Sequence, residues 1–272
     1  MNEKNNNIFH TEIGDGVYQL SSKTDGLSLE PGKPSRNSYL IVGESKALLF
    51  DLALEERELC AYAQNLANKD MIIVLSHAHI DHIYNIENVT KIMMHPDDEP
   101  LLLKGSIFQP PLKKQPKITF LNDGDVIDLG NRKIDIIHIP GHTDGSILLF
   151  DRKTGILISG DTVTRRLLYG MHSFVLIEEF CNKLENLKKL NITNIYSAHD
   201  RCALPFEHID YMISLLKQFS KSEGRILDFP FFEKAEFFSD GNENEISYFD
   251  FTVVRRWYFT PPILYKFGGV FM

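Results

Sequence analysis

Short apolar runs bounded by Gly, Pro, Ser and charged residues fill the first part of the chain, a pattern that is typical of β-strands. Two other stretches predict helices, one from the spacing of its apolar residues and one from its Pro and early acidic residues. The predicted strands are GVYQL, NSYLIVG, KALLFD, MIIVL and KIMMH, and the predicted helices are LEERELCAYAQNLA and PDDEPLLLK. Residues 1–10 are polar and are expected to be frayed.

A second run of strands follows, and most of its members are expected to pair antiparallel because Gly-containing turn pairs link them. These strands are ITFL, DVIDL, KIDIIHI, SILLF and GILIS, and the short strand NIYSAH comes later. Amphipathic spacing predicts helices in VLIEEFCNKLENLKKL and FEHIDYMISLLKQFSK. Two runs of strands with interleaved helices predict two sheets that stack face to face, with the helices outside.

The C-terminal part of the chain differs from the rest, because residues 225–272 hold 14 of the 30 aromatic residues and have little helical periodicity. We therefore expect a domain over residues 11–224, followed by an aromatic-rich extension over residues 225–272 that packs on the same domain or on a subunit interface. A strand near ISYFDFTVV would carry this packing, and RRWYFTPPILYKFGGVFM would cover a pocket or the interface of a possible homodimer.

Composition narrows the classes of function. The formal net charge of −8 disfavours nucleic acid as a partner, and no apolar run approaches the roughly 20 residues that span a bilayer. The N-terminus lacks the apolar stretch of a secretory signal, which favours a cytoplasmic protein with no membrane partner. Three widely separated cysteines argue against a disulfide framework or a cysteine zinc site and are interpreted as small buried hydrophobic residues: Cys60, Cys181 and Cys202.

The densest cluster of reactive side chains is LSHAHIDHI, which begins directly after the apolar residues MIIV. Its residues His77, His79, Asp81 and His82 form the pattern H-x-H-x-D-H, and a turn at a strand end can aim all four side chains at one point. A chance match to this pattern is expected in about one such chain in a thousand, so a polar surface loop is a poor explanation. Imidazole and carboxylate are the ligands that zinc and similar divalent metals prefer.

Three more candidate ligands follow other apolar strands: His142 in PGHTDGS, Asp161 in LISGDTV and His199 in IYSAHD. Taken alone, each histidine is more often a hydrogen-bonded structural residue, and an Asp after Gly is more often a turn residue. Together with the first cluster they provide seven ligands, which are too many for one four-coordinate ion.

With these residues in this order, the sequence resembles the metallo-β-lactamase fold superfamily over roughly Gly14 to Asp200. The resemblance implies an α/β (α+β) fold, a four-layer αββα sandwich of two mixed β-sheets with outer helices and the metal site at one edge. It implies a set of ligands for each of two metals: His77, His79 and His142 for the first, Asp81, His82 and His199 for the second, with Asp161 bridging them.

The chemistry that the resemblance implies is hydrolysis of a small-molecule substrate. Two divalent ions, zinc in the first place and iron or manganese otherwise, lower the pKa of a bridging water to near 7 and supply hydroxide at neutral pH. Asp81 and Asp161 would hold the ions and orient the hydroxide. Asp51 falls at a position that supports the ligands, where the family often has Asp-Thr-Gly, although Leu52 and Ala53 replace the Thr-Gly here.

Departures from the patterns of individual subfamilies narrow the substrate. β-Lactamases usually have Cys or Ser at the position of Asp161, and the substrate-orienting Tyr of acyl-homoserine lactonases is Thr164 here. Members similar to glyoxalase II and to acyl-CoA thioesterases share the seven ligands and the GHTDGS and SGDT segments, so a thioester or related ester is the leading interpretation. The alternatives are a lactonase, a β-lactamase-like hydrolase and an oxidoreductase similar to persulfide dioxygenases, with a single iron.

The segment TRRLLYGMH follows Asp161 and is expected to lie near the mouth of the site. It would place Arg165, Arg166, Tyr169 and His172 where cations can bind a carboxylate or phosphate tail, although solvated surface arginines explain the pattern as well. The remaining histidines are predicted to be structural or exposed: His10, His95, His138 and His208.

Overall fold

The computed structural model describes residues 7–23, 35–105, 111–170 and 172–219 with their side chains, and the backbone of residues 225–229, 232–239 and 252–258. The helices in these ranges are α1 Leu59–Ala67, α2 Glu99–Lys104, α3 Ile177–Leu187 and α4 His208–Phe219. The strands are β1 Ile8–Gly14, β2 Val17–Ser22, β3 Asn37–Val42, β4 Lys46–Phe50, β5 Asp70–Val74, β6 Lys91–Met94, β7 Lys117–Phe120, β8 Val126–Asp128, β9 Lys133–His138, β10 Ile147–Asp151, β11 Ile156–Ile158, β12 Arg166–Tyr169, β13 Asn194–Tyr196, β14 Arg225–Phe229, β15 Phe232–Ser239 and β16 Thr252–Tyr258. None of the helices described here is long and apolar enough to cross a lipid bilayer.

The first sheet has seven strands in the order β1 to β7. Its first four strands pair antiparallel, and β4 to β7 pair parallel. Parallel neighbours need a crossover connection, which α1 supplies between β4 and β5 and α2 supplies between β6 and β7. Strands β3 and β4 are apolar on both faces because each is covered on both sides, as their almost continuous burial shows.

The second sheet has five strands in the order β13-β11-β10-β9-β8. Strands β8 to β11 pair antiparallel, whereas β13 lies parallel to β11 after a crossover that contains α3. The antiparallel part contains tight turns, where Gly130 and Gly155 adopt positive φ angles that favour glycine.

Three hydrophobic clusters fill the layers between these elements. One joins the facing sides of the two sheets and includes Tyr39, Phe50 and Leu149. A second packs the outer face of the first sheet against α1 and α2, and a third packs the outer face of the second sheet against α3 and α4. This confirms the predicted αββα sandwich of two mixed sheets with outer helices.

A third sheet, of four strands in the order β12-β16-β15-β14, brings the C-terminal part of the chain to the residues that follow Asp161. Strand β16 pairs parallel with β12, with Leu168 opposite Val254. The predicted strand ISYFDFTVV overlaps β16 only in its last residues, since residues 240–251 lie outside the described ranges. Residues 259–272, which were expected to cover a pocket or an interface, also lie outside them, and the domain bounds 11–224 and 225–272 stay predictions.

Two strands in the first 220 residues were not predicted from the sequence. Residues 8–10 are not frayed but begin β1, which pairs with β2 and buries Ile8, while most of its other side chains face solvent. The segment expected to lie near the mouth contains β12, because RLLY pairs with a strand more than 80 residues further along the chain. The pair Asp15-Gly16 between β1 and β2 is a hairpin signal that was overlooked, whereas the pairing of β12 with β16 leaves no local signature in the sequence.

The cysteines have no disulfide partners among the described residues, as predicted. Cys181 is buried and Cys60 is partly buried, and burial raises the pKa of the Cys60 thiol to about 11. The prediction was wrong for Cys202, which is exposed because the segment between β13 and α4 runs over the surface.

Candidate metal centre

Four loops meet at one edge of the sandwich, and each follows the end of a strand. The loop after β5 carries His77 to His82, and the loops after β9, β11 and β13 carry the remaining predicted ligands: His142, Asp161 and His199. Backbone hydrogen bonds hold these loops together, between the two sheets from Ile147 N to the Ser76 carbonyl and within the second sheet from Ala198 N to the Gly160 carbonyl. All seven predicted ligands therefore lie at one place.

Three imidazoles form the first group. His77 Nε2 lies 3.0 Å from His79 Nδ1, which lies 2.8 Å from His142 Nε2, and the third side of the triangle measures 3.1 Å. A tetrahedral zinc with bonds of 2.0–2.1 Å keeps its nitrogen ligands roughly 3.3 Å apart. The three nitrogens are thus spaced as one small cation requires.

Asp81, His82 and His199 form the second group, and Asp161 lies between the two groups. His199 Nε2 is 3.4 Å from Asp81 Oδ2, and His82 Nε2 is 4.0 Å from the same oxygen. The Asp161 carboxylate is 3.3 Å from His82 Nε2, 3.2 Å from His199 Nε2 and 3.5 Å from His142 Nε2. It is the side chain that contacts both groups.

Two buried atoms at this point have no hydrogen-bond partner among the described residues: His82 Nε2 and Asp161 Oδ1. They lie 3.3 Å apart, but their geometry does not make a hydrogen bond. Buried polar atoms are almost always satisfied. A divalent cation would satisfy both, so the donor set fits a metal centre.

The ring nitrogens that face away from the centre are held by the protein. His142 Nδ1 donates to the Leu168 carbonyl at 2.8 Å, and His199 Nδ1 donates to the Ser35 carbonyl at 2.8 Å. Since a carbonyl oxygen can only accept, each Nδ1 carries the proton and each Nε2 keeps its lone pair for a cation.

Asp51 orients two further imidazoles from behind. Its carboxylate accepts hydrogen bonds from His82 Nδ1 at 2.9 Å, from Ser76 N at 2.6 Å and from Ser76 Oγ at 2.8 Å. Ser76 Oγ in turn lies 2.9 Å from His77 Nδ1. Asp51 adopts a φ of 65°, a conformation that non-glycine residues rarely take, in order to reach these partners.

The predicted mouth residues have different surroundings from those expected. His172 Nδ1 lies 2.7 Å from His79 Nε2, so His172 supports that imidazole from behind. Tyr169 is buried against Phe180, and its hydroxyl donates to the Val175 carbonyl. Arg165 forms an ion pair with Asp200 at 3.1 Å, and Arg166 is exposed on β12. Substrate binding by these four residues stays a prediction.

Burial and charge divide the histidines into two classes. Burial, together with the neighbouring imidazoles, lowers the pKa of His77 and His79 well below the usual value, so these rings are neutral. Burial would also lower the pKa of His82, but the carboxylates around it, Asp161 first, outweigh that effect and raise the pKa to about 10. Asp161 and Asp81 also raise the pKa of His199. Protons therefore compete with a metal for the second group, and metal affinity should weaken as the pH falls.

Another set of potential ligands lies outside this centre: His95, Asp97 and His138. The rings of His95 and His138 stack with centroids 3.7 Å apart and planes inclined by only 14°, so their lone pairs run parallel and do not converge. The other two histidines contact the protein as predicted for structural or exposed residues, His10 at Tyr62 and His208 at the Thr164 carbonyl.

Two buried carboxylates near the ligands were not identified from the sequence. Asp98 accepts hydrogen bonds from the loops after β5 and β9, and Asp200 accepts hydrogen bonds from Ser197 and Thr164. Asp98 was interpreted only as part of a helix start, and Asp200 only as the residue after His199. Neither has a spacing that could have revealed its contacts.

Comparisons with known proteins agree with this geometry. The model of a family described as "Metallo-beta-lactamase superfamily" matches residues 31–199. The chain is 28% identical over 188 residues to the acyl-coenzyme A thioesterase MBLAC2 of Gallus gallus, covering 57% of this chain and 65% of that protein. It is 26% identical over 216 residues to MBLAC2 of Homo sapiens, covering 66% and 75%. A solved structure of a metallo-beta-lactamase from Pontibacter korlensis aligns with a TM-score of 0.63 at 16% identity, over 77% of this chain and 99% of that one, and this likeness shows the fold alone.

Proposed function

The chain belongs to the metallo-beta-lactamase superfamily, and from this premise we propose that it is a thioesterase whose reaction depends on two divalent metal ions, with zinc as the expected metal. The observation that carries the proposal is the convergence of seven side chains into two groups that share Asp161. The thioester specificity is supported by the similarity to the MBLAC2 proteins, of whose length the chain spans 65–75%.

The residues would divide the two metals between them. The neutral imidazoles of His77, His79 and His142 would hold the first ion, and the second group would hold the other, with Asp161 reaching both. Two ions held there would supply a water of lowered pKa and would polarise the carbonyl that is cleaved. The carboxylates would neutralise the ions. Asp51 and the backbone carbonyls behind His142 and His199 would keep the imidazoles that they contact in the tautomer that binds.

Exposure indicates the side from which a substrate would approach. The side chains of Asp81 and His199 are 33% and 20% exposed, whereas His82 is fully buried. The second group therefore opens to solvent, and a thioester carbonyl would reach the centre from this side.

Apolar surface beside the centre supports a substrate with an acyl chain. Six large apolar side chains are exposed in the described part of the protein, and four of them lie close in sequence to residues of the centre. Ile80 and Tyr84 flank Asp81 and His82, while Phe174 and Leu176, 65% and 73% exposed, follow His172. Apolar groups that concentrate beside a polar centre are typical of a binding site.

The test couples metal content with a substrate panel. Protein stripped by a chelator would be titrated with zinc, iron(II) or manganese and assayed on acyl-CoA thioesters of graded chain length, the matched oxoester, a lactone and a β-lactam. We expect thioester cleavage to be the fastest, to vanish in the stripped protein and to return as about two ions per chain are added. In parallel, oxygen uptake would be followed with a glutathione persulfide.

Other outcomes would identify the alternatives. A preference for lactones or β-lactams at full metal loading would replace the thioesterase by a lactonase or β-lactamase-like enzyme. Oxygen uptake with the persulfide at one iron per chain would indicate an oxidoreductase. Two bound metals with no cleavage of any of these bonds would refute the proposal.

A further inference from the structure

Asp98 is a buried carboxylate that belongs to neither group of ligands. It closes a short 3-10 turn before α2, and only 2% of its surface is exposed. Its Oδ2 accepts from Ala78 N at 2.9 Å and from Thr143 Oγ1 at 2.9 Å, and its Oδ1 accepts from Gly145 N at 2.8 Å. Each of its oxygens is therefore used by a donor from elsewhere in the chain.

The donors lie in the two loops that carry the first group of ligands. Ala78 lies between His77 and His79, and Thr143 directly follows His142. One carboxylate thus ties the loop after β5 to the loop after β9. Hydrogen bonds to an ionised acceptor are about twice as strong as neutral ones, which makes this tie effective.

The contact between Asp98 and the second loop is close. A Cβ atom on Gly145 would lie 2.7 Å from the Cβ, the carboxyl carbon and the backbone N of Asp98, so only glycine allows this approach. The same loop is closed on itself by a hydrogen bond from Thr143 N to Ser146 Oγ at 3.1 Å. A displacement of Asp98 would therefore move the backbone next to His142.

We propose that Asp98 is a positioning residue that sets the separation of His142 from the pair His77 and His79, and so determines the affinity for the first metal. This inference rests on the proposed two-metal function. The second group is held by other partners, Asp51 behind His82 and the Ser35 carbonyl behind His199, so the effect of Asp98 should be confined to the first metal.

The variant Asp98→Asn keeps the shape of the side chain but replaces one acceptor by an NH2 group. In either orientation of the amide, that NH2 faces the N–H of Ala78 or of Gly145, and one of the two ties is lost. We expect zinc affinity of the first group to fall about 10- to 100-fold, as is typical when a partner behind a metal ligand is lost.

Zinc alone, in competition with a chelator, would measure each group separately. In a His199→Asn background the first group dominates binding, and here Asp98→Asn should produce the full loss. In a His142→Asn background, which leaves the second group, it should change affinity by less than about threefold. The matched control is Asp151→Asn, a buried carboxylate at the other end of the sandwich, which should leave zinc affinity unchanged in both.

An equal loss in both backgrounds, or a loss in neither, would overturn the positioning role while leaving the proposed function intact. Wild-type protein that binds no zinc would overturn both. If Asp98→Asn fails to fold, Gly145→Ala tests the same tie, because its methyl group pushes the loop away from an unchanged Asp98. It should then give the same selective loss.

Discussion

Two buried polar clusters lie at opposite ends of the second sheet and differ in how their atoms are satisfied. At one end Arg132 donates to Asp151, with Nε at 3.2 Å, and to the carbonyls of Asp15 and Val42 at 2.8 and 2.9 Å. No polar side-chain atom of Arg132 or Asp151 is buried without a partner. At the other end His82 Nε2 and Asp161 Oδ1 have no hydrogen-bond partner within the part of the chain that the structure describes.

The difference separates a structural cluster from a site. Both clusters bury charged side chains. The partners of Arg132 are all protein atoms, so the pair of Arg132 and Asp151 stabilises the fold. Atoms that converge and leave a shared space demand a ligand from outside, and a fold keeps them only where function requires it. Local breaks of the rule that buried polar atoms are paired therefore indicate the centre more reliably than burial alone.

The largest effect is expected from Asp161→Asn, which removes the carboxylate that contacts both groups. If Asp161 bridges two metals, kcat/KM for the preferred thioester should fall at least about a thousandfold, because both ions lose a shared ligand. Steady-state kinetics together with zinc content would measure this. Asp151→Asn, at the end of the sheet where the buried polar atoms are paired, is the control and should retain near wild-type kcat/KM per folded molecule. Retention of more than a tenth of the activity by Asp161→Asn would contradict the bridging role.

A substitution at the other end of the sheet, Arg132→Met, should lower the stability of the fold and leave the candidate metal centre unchanged. It leaves Asp151 buried without its cation, for which the free energy of unfolding should fall by about 3–5 kcal/mol. Urea denaturation would measure the loss, and the zinc content of the folded fraction should not change. The double variant Arg132→Met/Asp151→Leu should recover part of the stability, since it removes the unpaired charge as well. A loss below about 1 kcal/mol would mean that the pair contributes little.

The sequence carries a signal for the seven candidate ligands but none for the groups that hold them. Each candidate ligand lies in a segment that follows an apolar strand, and such strand ends meet at one edge of a sandwich. Their division between two metals was implied by the resemblance and stays a prediction. The groups that hold these ligands were not predicted, because many of them are backbone atoms or distant side chains. The Leu168 carbonyl behind His142 and the Ser35 carbonyl behind His199 have no side-chain signature at all.

The same limit applies to the fold. Strands with many local neighbours, such as β9 and β10, were predicted from their own pattern and turn residues. Strand β12 has only four residues and pairs with β16, which lies more than 80 residues away, so no strand was predicted there. This misplaced Tyr169, whose ring packs on Phe180 because the strand turns it inward. The positions of such residues depend on contacts between segments that are far apart in the sequence, and these contacts cannot be predicted from one sequence alone.

A smaller effect on stability is expected from a third polar cluster, where the rings of His95 and His138 stack. The prediction tests whether this cluster is structural, like Arg132 and Asp151, or binds a metal. Burial, with His138 beside it, lowers the pKa of His95 to about 4. An unfolded chain binds this proton near pH 6.5, so between pH 6.5 and 4 the unfolded state holds a proton that the folded state lacks. Stability from His95 is thus complete above pH 6.5 and is lost as the pH falls toward 4, by on the order of 2 kcal/mol. In His95→Gln the free energy of unfolding, measured in urea on metal-free protein, should fall less steeply over this range than in the wild type.

Zinc binding by the same variant tests whether this cluster is structural or a metal site. Because His95 Nδ1 accepts from Asp97 N and the lone pairs of the two rings do not converge, the variant should bind zinc as the wild type does. Weakened zinc binding would show that the cluster is a metal site.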